Sequence, residues 1–341
     1  MYVPAKLKKV KVPTLKQKPS ASQSSKRRQT HLPKTGMVKA TCQKEIAKKP
    51  ATAAKLRRDL CGSPMKLRLG SDCTGYNAAS IAMESLRVQH TNVFASDINR
   101  DVRAVLSANF DIHQVFEDCT SHDAPPVDIY TAGFPCQPYS NQGRNKGKND
   151  RRGSPIVKSI IAYIRTKLPA AFVLENVTGL VQQHRRWFDQ IISELETISN
   201  SKGTVYKVYW EILDSKEFGL AQSRRRVIIV GLKKAKMMNE FSWPNIVPMK
   251  PLASFLEPRP RKVELSIPKN STTKMSNFIK CLEAIKEKGG KLATESSPWV
   301  ADLGPSKGRG PLLTLGYFPC ITAARAGGEN YYLFHRGRLR L

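Results

Sequence analysis

From position 66 onward the chain alternates between short apolar runs and longer stretches in which apolar residues return every three or four positions. The runs KLRLGSDC, TNVFASD, HQVFED, VDIYTAGF, AAFVLENV, YKVYWEILDS and RRVIIVGLK predict strands, all but the sixth mostly buried. Between them NAASIAMESL, NRDVRAVLSANF, SPIVKSIIAYIRTKL and RWFDQIISELETIS predict helices, with Asn77, Asn99 and Ser154 near their starts. Strand and helix in alternation imply an α/β fold, a mostly parallel sheet covered on both faces. Such sheets bind ligands at the carboxyl ends of their strands. The site is therefore expected where GSDCTG, Ser96-Asp97, Glu117-Asp118 and GFPC fall.

The first 64 residues have a different texture, mixing Lys, Pro, Ser and Ala without a usable apolar period, and predict a disordered basic arm. KKVKV and SKRR in it read as a nuclear address or a phosphate-binding arm; its poverty in acids also fits an organellar transit peptide, and a solvated tail is the plain alternative. The nucleus is the expected compartment, an organelle the alternative.

Charge changes the picture further. The 341 residues carry +30, of which the arm, with 17 Lys and Arg against 2 acidic residues, supplies +15. The remainder, 40 against 25, supplies another +15, so the folded part is basic in its own right and favours a polyanion such as nucleic acid. Seven cysteines, with no C-x-x-C pair, indicate neither a zinc site nor a disulfide framework and point to a reducing compartment. No apolar run approaches the ~18 residues of a membrane span. No metal and no membrane partner are expected, and a monomer is.

Chemistry concentrates at the expected strand ends. Gly70-Ser71-Asp72-Cys73-Thr74-Gly75 is a small-residue turn before a helix, open to close approach by a ligand. Asp97 is placed to bind ribose hydroxyls and Asp118 to accept from an adenine amine, although each can equally be a helix cap or turn acid. Cys136 lies between Pro135 and Pro138 at the mouth of the fourth strand, where a nearby cation would favour the thiolate, the nucleophilic form. Glu175 closes the next strand; there it can hold a proton and donate it, or hydrogen-bond an amide-like edge. Gln222-Ser223-Arg224-Arg225-Arg226 brings guanidinium forks, suited to phosphate or a base carbonyl, to the same rim. Thiolate, acid and arginines on neighbouring strand ends describe nucleophilic addition to an electron-poor ring.

At these residues the chain resembles the cytosine-C5 methyltransferase family. GFPCQPYS matches its Pro-Cys-Gln motif, Glu175-Asn176-Val177 its Glu-Asn-Val motif, and Gln222, Arg224 and Arg226 its Gln-x-Arg-x-Arg motif, in the family's order. The resemblance runs from about Lys66 to Leu341. It implies a seven-stranded methyltransferase sheet with one antiparallel strand, S-adenosylmethionine as cofactor, and DNA as partner. It further implies that Cys136 adds to C6 of a flipped-out cytosine while Glu175 contacts N3 and the exocyclic amine. The methyl group then goes to C5, and loss of the C5 proton releases Cys136. Arg224 and Arg226 would hold the target nucleotide, and Gly143 to Gly147 resembles the mobile loop that closes over the site. The residues expected at the cofactor are Asp72, Thr74, Gly75, Asp97, Ile98, Asp118, Cys119 and Pro135.

Departures from the family are specific. In place of the usual Phe-x-Gly-x-Gly-Gly stands Asp72-Cys73-Thr74-Gly75-Tyr76-Asn77, of which Gly75 carries over. The resemblance divides the chain into the arm at 1–64, a catalytic domain at 65–239, a small irregular target recognition region at 240–311 and, at 312–341, the start of a C-terminal return to the catalytic domain, incomplete because the sequence stops at RGRLRL where the family continues into a Thr-Pro-Arg-Glu-like motif and a final strand-helix element. In the recognition region NFIKCLEAIKEKGGK predicts a helix that either contacts phosphate or is simply solvated, and Trp243 and Trp299 are expected in a core. Two alternatives stand beside a DNA methyltransferase. One is the tRNA-methylating branch, whose motif begins Pro-Pro-Cys and runs into Phe-Thr, against Phe134-Pro135-Cys136 and Tyr139-Ser140 here. The other is a catalytically impaired nucleic-acid-binding relative.

Overall fold

The computed structural model describes residues 66–135, 154–256, 272–288, 297–304, 310–322, 331–335 and 338–340. The chain divides into two units, Met1–Asp59 and Leu60–Leu341, and all described residues belong to the second. The basic arm, Cys136 and the Gly143 to Gly147 loop lie outside the described residues.

Each of the seven expected strands forms. They are β1 (Leu67–Asp72), β2 (His90–Ser96), β3 (Ile112–Phe116), β4 (Ile129–Ala132), β5 (Ala171–Val177), β8 (Tyr206–Asp214) and β9 (Arg225–Lys233); a two-residue hairpin, β6 (Ser199–Asn200) with β7 (Gly203–Thr204), intervenes. The sheet order is β3-β2-β1-β4-β5-β9-β8. β1 to β5 pair in parallel, and β9 runs antiparallel to both neighbours, so it is the one reversed strand of the seven.

Local sequence explains the helices that cover this sheet. Asn77 and Asn99 cap Ala78–Ser85 and Arg100–Asn109 by accepting from the backbone N–H of Ser80 and Asp101. Ser154–Lys167 buries Val157, Ile160, Ile161 and Ile164, and Arg185–Glu196 buries Trp187, Phe188, Ile191 and Leu195, the spacing of one helical face. These side chains meet Phe94, Tyr130, Phe172 and Leu174 from the sheet in one core. Phe172 lies flat across Gly231 of β9, its direct partner, where any side chain would collide with the ring.

The reversal of strand order falls between β1 and β4, the place where open α/β sheets leave a crevice at their carboxyl ends. Arg68 and Asp128 staple the opposite end of that pair. Asp128 donates its N–H to the Arg68 carbonyl, while its carboxylate accepts from the Arg68 backbone at 2.9 Å and guanidinium at 3.0 Å.

The region expected to be irregular carries a second sheet, β11 (Leu312–Leu315), β10 (Trp299–Asp302), β12 (Tyr331–His335) and β13 (Arg338–Arg340) in that order, antiparallel throughout. The helix Thr272–Glu287 packs Phe278 and Cys281 against Trp299, Tyr332 and Phe334. Leu312–Leu315 pairs with β10 in this sheet, while Phe318 beyond it pairs with Gln222 ahead of β9. Trp299 is core as expected; Trp243 is half-buried against Phe241. A smaller cluster of Ala221, Leu252, Val300 and Leu333 fastens the second sheet to the first.

The Arg68 guanidinium holds the Asp128 carboxyl below its usual range, chiefly by their hydrogen bond. With a folded value below the unfolded one near 3.9, the stabilisation is complete above about pH 4 and is lost as pH falls through the folded value. Both side chains keep about a third or more of their surface in water. Asp128→Asn should therefore cost about 0.5–1 kcal/mol at pH 7 in urea unfolding, and the gap to wild type should narrow toward pH ~3. A gap that stayed constant with pH would show that the charge is not what stabilises the staple.

Candidate active site

Residues alternate along β5, so Phe172, Leu174 and Asn176 enter the core while Glu175 faces the other way. Asn176, buried, donates to the Phe134 carbonyl at 3.1 Å and ties the end of β5 to the turn that leaves β4. The antiparallel register sets Val177 opposite Arg226 and thus brings Arg226 diagonally beside Glu175. Arg226 Nε meets Glu175 Oε1 at 2.9 Å, and an Arg224 terminal nitrogen reaches the same oxygen at 3.5 Å. The carboxylate is 34% exposed, so it is held without being sealed. Its other oxygen sits beside Gly133, where an added Cβ would come within 3.8 Å. Gly133 precedes Cys136 by three positions, and Pro135, half-buried, is the last described residue before it.

The arginine segment is itself fixed from below. Buried Asp214 accepts from the backbone N–H of Arg224 at 2.9 Å and from the Ser223 hydroxyl at 2.8 Å. Ser215 donates to the Gln222 carbonyl at 2.6 Å. Gln222 and Arg224 therefore stand on a braced segment that leads into β9, and Arg224 and Arg226 converge on Glu175.

At the cofactor side three expected residues come together. Asp97 accepts from the N–H of Gly75 at 3.0 Å and of Asn99 at 2.9 Å. Thr74 donates its hydroxyl to the Ser71 carbonyl and accepts from the Ser96 N–H, locking the end of β1 to that of β2. Gly75 has φ +57, a left-handed conformation that glycine adopts without strain, and the space where its Cβ would be is open. Ile98 is 71% exposed beside Asp97, an uncovered apolar flank. Asp118 is a turn acid whose Oδ1 accepts from the Thr120 N–H and hydroxyl, both at 2.8 Å. A half-buried carboxylate, a second acid, an open glycine turn and a bare apolar side chain fit an adenosine moiety. Cys119 is buried; interaction with the Cys119 thiol first, and burial second, push the Cys73 thiol far above its ordinary value.

Asp72 corrects the sequence reading. Its carboxylate lies inside the core, 1% exposed and accepting from three donors: the Ser96 hydroxyl at 2.5 Å, the Tyr130 phenol at 2.6 Å and His122 Nε2 at 2.8 Å. Ala124 donates its N–H to His122 Nδ1, which leaves Nε2 as the nitrogen that carries the proton. Burial first, and the Asp72 charge next, raise the Tyr130 phenol well above its ordinary value, so it remains a donor. A buried charge persists only when its partners are complete. No periodicity foretells this knot, because its donors come from β2, from β4 and from the connection between β3 and β4.

An open sheet with one reversed strand, an adenosine-shaped turn after β1 and an arginine-clamped glutamate near the end of β5 together define a methyltransferase of the α/β class. Residues 70–298 match the family model for C-5 cytosine-specific DNA methylase, and the chain belongs to that family. It is 35% identical over 255 residues to the type II methyltransferase M.NgoBI of Neisseria gonorrhoeae, covering 74% of this chain and 72% of that protein. With M.BsuFI of Bacillus subtilis the identity is 32% over 179 residues, 51% of this chain and 42% of the relative. Against M.BsuFI, M.NgoBV, M.NlaIV and M.HgiBI the chain spans less than half of the relative's length. The structure of the Entamoeba histolytica methyltransferase EhMeth aligns with a TM-score of 0.45 at 20% identity, over 58% of this chain and 62% of that one.

Asp72→Asn keeps the shape of the side chain but turns an amide N–H toward groups that already donate. It should cost about 3–5 kcal/mol in chemical denaturation, the range for breaking one partner of a buried charge network. A loss below about 1 kcal/mol, the level of a surface pair, would mean that the knot does not hold the strand ends.

Proposed function

We propose that the protein methylates DNA at C5 of cytosine, using S-adenosylmethionine and a covalent adduct between Cys136 and C6. The observation that carries this reading is Glu175, fixed by Arg226 at 2.9 Å beside Gly133, on the turn that leads to Cys136. The net charge of +30 suits a nucleic-acid substrate.

A cytosine taken out of the duplex costs a few kcal/mol of stacking and pairing, and the phosphate contacts of a basic protein offset that cost. Glu175 in its protonated form donates to N3 while its other oxygen accepts from the exocyclic amine, and Arg226 keeps the carboxyl group at one place as the base arrives. Electron withdrawal at N3 makes C6 electrophilic, and the Cys136 thiolate forms a bond to it. The ring electrons move to C5, which becomes the nucleophilic carbon. What S-adenosylmethionine supplies when bound is the electrophilic methyl group on its sulfonium sulfur. Asp97 orients the ribose through its hydroxyls, with Gly75 and Ile98 leaving room for the adenosine. A base then takes the C5 proton, the C5–H electron pair re-forms the C5–C6 double bond, the bond between C6 and Cys136 breaks to restore the thiolate, and the N3 proton returns to Glu175.

A duplex carrying 5-fluorocytosine lacks the proton whose loss ends the cycle, so it should trap the enzyme. With S-adenosylmethionine present, the full chain should form an adduct that survives denaturant, and Cys136→Ser should form none. Adduct of equal yield in the mutant would remove Cys136 from its role. Adduct on the matching RNA but not on DNA would make the substrate RNA.

A further inference from the structure

Outside the three family motifs, one side chain touches the catalytic carboxylate's support from an element that sequence reasoning did not connect to it. The half-buried Cys320 places its Sγ 3.8 Å from an Arg224 terminal nitrogen and 3.7 Å from an Arg226 terminal nitrogen. Each arginine therefore spans from Glu175 on one side to the Cys320 sulfur on the other. Arg226 is oriented at all three nitrogens: Nε to Glu175 at 2.9 Å, one terminal nitrogen to the Arg225 carbonyl at 2.8 Å, and the second to the sulfur. Two guanidiniums side by side repel, and acceptors on both sides of the pair offset the repulsion.

Backbone register, rather than a chance rotamer, puts Cys320 there. Phe318 donates its N–H to the Ala221 carbonyl and accepts from the Ser223 N–H, both at 2.8 Å, so Gln222 and Phe318 are paired in a short parallel bridge. Two residues on along each segment, on the same face, stand Arg224 and Cys320. The segment that bears Cys320 leaves β11 directly, with the Gly316 N–H bonded to the Pro298 carbonyl before β10. The second sheet thus reaches the catalytic carboxylate through one sulfur.

We propose that Cys320 is a positioning residue, whose sulfur holds the Arg224 and Arg226 pair in the geometry that fixes Glu175 and so couples the placement of the second sheet to the reaction. The coupling rests on the methyltransferase reading, whereas the positioning of the arginines does not, and the test separates them. In the full chain, Cys320→Ser keeps an acceptor, Cys320→Ala removes it, and Cys320→Val removes it while keeping most of the volume. Kinetics with S-adenosylmethionine and duplex DNA should show kcat reduced about tenfold in the Ala and Val variants with the cofactor KM within about twofold, and Ser within about threefold of wild type. Solvent exchange of the Arg226 Nε–H, followed by 15N NMR, should quicken in Ala and Val and return in Ser. Wild-type kcat together with wild-type exchange in the Val variant would overturn the proposal, as would exchange that quickens equally in Ser. A wild-type chain that transfers no methyl group, yet loses protection of that N–H in Ala and Val, would refute the activity while supporting the positioning role.

Discussion

A single carboxylate, that of Asp72, lies where β1, β2, β4 and the connection from β3 to β4 converge, and the arrangement of the strand ends depends on its being satisfied. Removing a charge from water costs several kcal/mol, so the fold must deliver Ser96, Tyr130 and His122 to it together. Once they are delivered, the next residues in each strand have little freedom. Thr74 locks to Ser96, Asp97 takes the Gly75 N–H, and the turn after β1 is held open. The turn after β1 is in this sense built on a carboxylate that faces the core.

The reacting side is built on register. Antiparallel pairing of β5 with β9 sets Arg226 opposite Val177, and from that position the side chain crosses to Glu175. Asp214 holds the turn before β9, and Asn176 holds the turn after β4. A displacement of β9 by one residue would turn Arg226 to the other face of the sheet and release the carboxylate. The short bridge between Gln222 and Phe318 extends the same logic to the second sheet, which is joined to the arginine clamp of Glu175.

Much of this was legible in the sequence for a physical reason. Strands of a parallel sheet are buried on both faces and appear as near-continuous apolar runs, so β1 to β5 stand out, and asparagine caps mark Ala78–Ser85 and Arg100–Asn109. Glu175, Arg224 and Arg226 were legible as a set because their motifs place them at strand ends, and they do converge. The burial of Asp72 was not legible because a strand-end acid in a small-residue turn looks the same whether it faces a ligand or the core; the distant Tyr130 and His122 decide. The second sheet was hidden because its strands are three to five residues long and pair across intervals that no local period spans. Cys320 was hidden likewise, since its bond to the arginines joins positions 94 and 96 residues apart.

The central claim is that an arginine-held glutamate and a neighbouring cysteine make this sheet transfer a methyl group to C5 of cytosine. The most direct measurement is mass spectrometry of nucleosides digested from duplex DNA after incubation with the full chain and S-adenosylmethionine. Wild type should yield 5-methyl-2′-deoxycytidine, and Glu175→Gln, with its fold intact by circular dichroism, should yield it at least about a hundredfold more slowly, the scale of a lost general acid. Methylation at another atom or another base by wild type, or an undiminished rate in Glu175→Gln, would contradict the account.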